Sequence, residues 1–427
     1  MNRVGRRLWG ATSLLLLGTM VWLMGYTARP QAATDPQLPG PCAINHQQVT
    51  VNGRETHIYY PTSCTGWVSA PYPGIAFAHG FSMFGLSDGA ADNVGNGEHL
   101  ASWGYVVAIP KLTDDVEERI TDIQAVLTYL ETETDTPGSF LYQKVDTNRL
   151  ALAGHSFGGA TVLAVGAQDT RVKAMVALDP VYHQGGPGDN PEIWDPDVEG
   201  PKIIAPTSIL GAPASNCNSE ADYAEIYPFV GSTHKATFVI VGASHCDFSD
   251  PGNSLCSFVC DGDTDPARTR LVQKYMTAWF NYYLHYDTDY YDYLYGAGAG
   301  SDIASGLIER QVDTSPRNVT AIGQYKAVLL EWTLYDHPIV AGYNVYRRQA
   351  DQTYPSTPQV HTGPTNSHLD EGLAGGDTYF YTLCSRDAAG HEHQLSYEVS
   401  ATTTPPMAPG PGLEPQLYLP IVLKNWQ

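Results

Sequence analysis

The stretch NRLALAGHSFGGATVLAVGAQ at 148–168 restricts the possible folds more than any other part of the chain. Its LALAG run has no polar break, as expected for a strand buried on both faces. The run ends in a serine with glycines two places to either side, and an apolar segment of helical length follows at once. A strand that turns into a helix at one residue leaves no room for bulk beside it and strains the serine backbone. Such an elbow needs a parallel sheet around it.

The chain around it supplies the parts of that sheet. GIAFAHG (74–80), YVVAIP (105–110), AMVALDP (174–180), PTSILGAP (206–213) and ATFVIVGASH (236–245) read as buried strands, and TVNGRETHIYYP as a strand or hairpin. DDVEERITDIQAVLTYLETE (114–133) repeats its apolar residues at helical spacing. A second helix starts near Asp265-Pro266, with Asp as cap and Pro in the first turn. The alternation predicts an α/β fold, a mostly parallel sheet with helices on both faces.

The G-x-S-x-G pattern occurs twice, as GLSDG (85–89) and GHSFG (154–158). Only the second follows a buried strand and opens a helix, so Ser156 rather than Ser87 is the candidate nucleophile. A serine needs a base and a group that orients the base. His245 ends the last predicted strand. His79 and His155 precede or sit in the elbow, His183 follows the candidate acid too closely, His234 precedes its strand and His285 lies late in a helix. The acid is expected after a neighbouring strand. PTSILGAP runs into ASNC and offers no carboxylate before Glu220, whereas ALDPV places Asp179 one strand earlier. Asp179 is therefore the expected acid, with Asp222, Asp247 and Glu220 as alternatives.

GHSFGGATV, VALDPV and GASHCDFSD, taken together, resemble the platelet-activating-factor acetylhydrolase and chlorophyllase branch of the α/β-hydrolases, from about Val49 to Tyr295. That resemblance implies a calcium-independent carboxylester hydrolase without a cofactor, working through an acyl-enzyme, with its acid on this earlier strand. It also implies that FAHGFSMF is the oxyanion-hole loop, with the Phe81 and Phe157 amides as donors. Cutinase-like polyester hydrolases share the elbow but usually place the acid one strand later. Three alternatives remain: such a polyester hydrolase, an acyltransferase on the same site, and an exported adhesion protein with an inactive hydrolase domain.

The insertion at 179–200 borders the expected acid. It is a candidate substrate wall, with Tyr182 and Trp194 as apolar contacts. DGDTDP (261–266) lacks the glycine and distal glutamate of a calcium loop, so helix capping is expected there and no metal site.

After Asp313 the pattern becomes short alternating strands. Trp332 and the Leu373/Tyr379 corner resemble a fibronectin type III module. The expected domains are a signal peptide (1–34), the catalytic domain (35–312), the fibronectin-like module (313–404) and a Pro-rich linker with a short apolar tail (405–427).

Three arginines and an apolar run from Leu8 to Tyr26 read as a secretory signal cleaved near Ala33, an uncleaved anchor being the alternative. The chain has 23 Lys and Arg against 45 Asp and Glu, a net charge of −22, which argues against nucleic acid and anionic membranes as partners. Small-molecule, lipid or polymer esters are the expected substrates. The fibronectin-like module is a candidate extracellular contact, and a monomer is expected. Seven cysteines in an exported chain suggest disulfides with one thiol left over. Cys42 and Cys64 are expected to pair, Cys217, Cys246, Cys256 and Cys260 to form two bridges of open pairing, and Cys384 to stay free.

Overall fold

Asn52 and Gly53 both adopt positive φ, 48° and 79°. This matches the two-residue hairpin turn whose twist suits antiparallel strands. They join β1 (Cys42–Val51) to β2 (Arg54–Cys64), the outer pair of a nine-stranded sheet. The computed structural model describes residues 34–405 apart from 67, 83–87, 183–193, 253, 261, 313, 335–336 and 389. The leader, Ser87, His183, most of the 179–200 insertion and the C-terminal tail lie outside the described residues.

The sheet continues with β3 (Tyr72–Ala78), β4 (Val106–Pro110), β5 (Val145–His155), β6 (Val172–Leu178), β7 (Thr207–Gly211), β8 (Lys235–Ile240) and β9 (Ile308–Gln311). Its order is β1-β2-β4-β3-β5-β6-β7-β8-β9. The pairings from β4 to β8 are parallel, and β1, β2 and β9 add antiparallel edges. The central strands are buried along nearly their whole length, as their unbroken apolar runs require.

Helix α1 spans Val94–Ser102, α2 Val116–Asp135 and α3 Phe157–Gly166. Leu127 and Leu130 of α2 and Leu163 of α3 share a core with Ala76, Ala78, Leu150 and Leu152 of the strands. The helix Pro266–Tyr283 is capped by Asp265, which accepts from the Ala267 amide at 2.8 Å. It is tied to α1 by His99 Nε2 and Thr277 Oγ1 at 3.0 Å. The tyrosine-rich segment after it packs on itself: the Tyr283 and Tyr295 hydroxyls are 3.1 Å apart and both rings meet Tyr282 edge to face. No helix among the described residues is long and apolar enough to cross a membrane.

Residues after β9 form a β-sandwich of two antiparallel sheets. One is β10 (Arg317–Gln324), β11 (Ala327–Thr333) and β14 (Ser367–Glu371). The other is β12 (Gly342–Gln349), β13 (Val360–Thr362), β15 (Thr378–Arg386), β16 (Glu392–Leu395) and β17 (Val399–Thr402). Trp332, Leu373 and Tyr379 are buried in its core, and the Ala374 amide donates to the Tyr379 hydroxyl at 3.0 Å. The sandwich meets the sheet domain through His337, whose ring lies 5.7 Å from that of His234 and 5.0 Å from that of Tyr295.

Three disulfides form: Cys42–Cys64, Cys217–Cys260 and Cys246–Cys256. Cys384 is free and buried, and burial pushes its thiol up to about 12.

Candidate active site

Ser156 sits between β5 and α3 with φ +58° and ψ −125°, a backbone conformation that persists only where the surroundings hold it. Its amide donates to the Leu178 carbonyl at 2.9 Å, and its carbonyl accepts from Gly159 and Val181. A Cβ on Gly158 would overlap the Ala78 carbonyl, and one on Gly154 would overlap the Gly158 carbonyl. Both flanking glycines are thus required by contact. Ser156 remains half-buried while its neighbours on both sides are buried.

Asp179 follows β6 and also holds a positive φ, 38°. Its buried carboxylate divides its two oxygens. Oδ2 lies 2.6 Å from His245 Nδ1, and Oδ1 accepts from the Ala212 amide and from Asn218 Nδ2, both at 3.1 Å. Ala212 stands just past the end of β7. The carboxylate therefore comes from β6 but is held by the end of β7. Of the other carboxylates named above, Asp222 accepts from the Tyr182 amide, Asp247 accepts from the Ser244 and Asp265 amides, and Glu220 is exposed.

His245 opens the short turn after β8, with its ring 4.7 Å from that of His155. Phe157 is the first residue of α3, so its amide has no partner within the helix. A Cβ on Gly80 would lie 3.6 Å from Ser156 Oγ, which puts the loop that continues into Phe81 beside the serine. The Phe81 and Phe157 rings are 6.4 Å apart.

A family model described as PET hydrolase-like matches residues 27–314 of the 427. The chain belongs to the PET hydrolase-like family. Curated relatives agree. A bis(hydroxyethyl) terephthalate hydrolase of Streptomyces coelicolor is 28% identical over 62% of this chain and 73% of its own length. Cutinase est2 of Thermobifida alba is 26% identical over 60% and 74%. Cutinase 1 of Thermobifida cellulosilytica is 25% identical over 56% and 76%. The chain is accordingly a carboxylic ester hydrolase. The matching family is the polyester-hydrolase kind held above as an alternative, and Asp179 lies after β6 rather than one strand later.

In this PET hydrolase-like chain several supporting residues escaped the sequence reading. Arg119 of α2 is fully buried. It donates from Nη2 to the His79 carbonyl, from Nη1 to the Thr113 carbonyl at 2.8 Å and from Nε to Thr161 Oγ1 at 3.1 Å, and lies 4.3 Å from the centre of the Phe157 ring. Burial pulls its pKa down to about 9. It ties the Phe81 loop to the start of α3. The available signal was an arginine one turn after Val116 on the apolar stripe of the helix. Asp114 holds the next residue of the loop, accepting from the Ser82 amide and hydroxyl at 2.8 Å each. His79 accepts the Leu112 amide on Nε2 at 2.9 Å and donates from Nδ1 to the Gly80 carbonyl at 2.7 Å. Burial drives its pKa to about 3, so the ring is neutral.

Tyr182 and Trp194 are buried in the core and meet edge to face at 6.5 Å. The sulfurs of Cys246, Cys256 and Cys260 lie within 4.8 Å of one another, but each is bonded in a disulfide and offers no thiolate to a metal.

Proposed function

We propose that the chain is an exported serine esterase that cleaves the ester links of polyester-type polymers and their soluble fragments. Ser156 Oγ attacks the ester carbonyl while His245 Nε2 takes its proton. The carbonyl oxygen becomes an oxyanion held by the Phe81 and Phe157 amides. His245 then gives the proton to the departing alkoxide, which leaves as an alcohol. Water, deprotonated by the same nitrogen, cleaves the acyl-Ser156 ester and releases the acid. Asp179 keeps Nδ1 protonated, so that Nε2 is the free base, and stabilises the imidazolium.

The observation that carries this reading is the 2.6 Å bond between His245 Nδ1 and a buried Asp179 carboxylate, next to a strained serine at a helix N-terminus. The relatives named as cutinases and as a terephthalate-ester hydrolase support the substrate class. Three disulfides suit an oxidising compartment and so support export. The fibronectin type III likeness of the sandwich is supported by its tyrosine corner and buried Trp332.

A fluorophosphonate probe and a soluble p-nitrophenyl ester test the assignment. Covalent labelling and turnover are expected for the native chain and neither for Ser156→Ala. Labelling retained in Ser156→Ala would refute it.

A further inference from the structure

Each of the two proposed oxyanion donors is the N–H of a peptide whose carbonyl lies on the opposite edge. In a trans peptide the N–H and the C=O point in opposite directions, so holding the oxygen aims the hydrogen. For the Phe157 amide that oxygen is the Ser156 carbonyl, which accepts from the Gly159 amide at 2.8 Å and from the Val181 amide at 3.0 Å. Backbone bonds therefore fix this plane. For the Phe81 amide the oxygen is the Gly80 carbonyl. A Cβ on Gly80 would lie 3.2 Å from Ser156 Cβ, so the close approach to the nucleophile favours glycine. Glycine leaves the peptide planes on either side of it loosely determined. Here a side chain supplies the restraint: His79 Nδ1 lies 2.7 Å from the Gly80 oxygen.

We propose that His79 is the positioning residue of the oxyanion hole, its ring holding the Gly80 carbonyl and thereby turning the Phe81 amide toward the reacting ester. The proposal rests on the serine-esterase reading above. The tautomer follows from the other ring nitrogen. Nε2 accepts from the Leu112 amide at 2.9 Å, and a backbone amide only donates, so the ring proton sits on Nδ1 and points at Gly80. A pKa of about 3, lowered by burial, keeps Nε2 bare at neutral pH. The ring is confined. His79 is 1% exposed, a Cβ on Gly89 would lie 2.1 Å from its Nδ1, and Arg119 Nη2 holds its carbonyl. His79 acts on the reaction through one peptide plane and not by contact with the ester.

The test compares variants of the full chain on a soluble p-nitrophenyl ester and on an alkyl trifluoromethyl ketone. The ketone carbon bonds to Ser156 Oγ, the serine proton passes to His245 Nε2, and the carbonyl pair ends on oxygen as a stable oxyanion. His79→Phe keeps a ring and donates nothing. It is expected to lower kcat about tenfold to hundredfold with KM within about twofold, and to weaken ketone inhibition by a similar factor. His79→Asn places its Nδ2 donor where Nδ1 stands, and is expected to stay within about fivefold of the parent. Should His79→Phe fail to fold, His79→Gln replaces it, since its amide reproduces the Nε2 acceptor but not the Nδ1 donor. Its expected loss matches that of His79→Phe. Unchanged kcat and ketone inhibition in the variant without the donor overturn the proposal, as does a loss confined to KM. An Asn variant no better than Phe or Gln also overturns it, since His79 would then be a packing residue. A native chain that neither the ketone inhibits nor a fluorophosphonate labels refutes the serine-esterase reading itself, and the proposal with it.

Discussion

His155 Nε2 donates to the backbone carbonyl of His245 at 3.0 Å, so the residue preceding the candidate nucleophile holds the main chain of the candidate base. A carbonyl only accepts, which fixes the proton on Nε2 and leaves Nδ1 to accept from the Ser249 hydroxyl at 3.0 Å. Burial, reinforced by the His245 ring, keeps the His155 pKa well below the usual imidazole range, so the arrangement stays neutral at working pH. His155→Phe keeps the ring volume and removes both bonds. A fall in soluble-ester kcat/KM of about tenfold to hundredfold is expected, the scale of one buried hydrogen bond. Full activity in this variant would show that the His245 backbone is positioned by other contacts.

Asn218 serves the acid in the same way. Its amide donates to Asp179 Oδ1 and to the Pro180 carbonyl, while its oxygen accepts from the Asp222 amide. For Asn218→Ala we expect kcat to fall roughly tenfold with KM little changed, because the residue orients the carboxylate and not the substrate. A change confined to KM would contradict this role.

Gly158→Ala places a methyl group into the Ala78 carbonyl, which is backbone and has no side chain to move aside. A loss of about 1–3 kcal/mol or more in stability is expected, with activity lost in whatever protein remains soluble. A denaturant midpoint equal to that of the parent would mean that the elbow can widen.

Acid should weaken the fold before it disables individual bonds. Burial lowers the pKa of His79, His285 and His337 to about 3 and of His99 to about 4, from 6.5. Below pH 6.5 the unfolded chain binds these protons and the folded chain does not, so stability falls as pH drops toward the folded values. Each such ring contributes a slope of about 1.4 kcal/mol per pH unit within that window. Thermal melts at pH 7, 6 and 5 should show a progressive fall in Tm. A flat Tm across this range would show that these rings are not buried neutral in solution.

Cys246→Ser with Cys256→Ser opens the bridge beside His245. A stability loss of about 2–4 kcal/mol is expected from the bridge, together with a lower kcat as the turn carrying His245 loosens. Unchanged kcat on the soluble ester would separate the staple from the chemistry.

The chain by itself determined the alternation of strands and helices, and it was enough to expect Ser156 between a strand and a helix, His245 after β8 and Asp179 after β6; that these three act together is the proposal. Each is written into local signals: unbroken apolar runs, glycines where no side chain fits, and chemical residues at strand ends. The same kind of signal marked the cap at Asp265, whereas the stretch around Asn52-Gly53 read only as a strand or hairpin. What only the tertiary structure decided is how these residues are held. Arg119, His155 and Asn218 meet partners between 39 and 90 residues away, and no local pattern encodes such a meeting. The pairing of four cysteines likewise depended on which sulfurs the folded loops brought together. Tyr182 and Trp194, chosen for their place beside the acid, turned inward because burying two large rings against the core outweighs leaving them in water. Covalent order sets which residues start an element. Packing, which is blind to sequence distance, sets which of them meet.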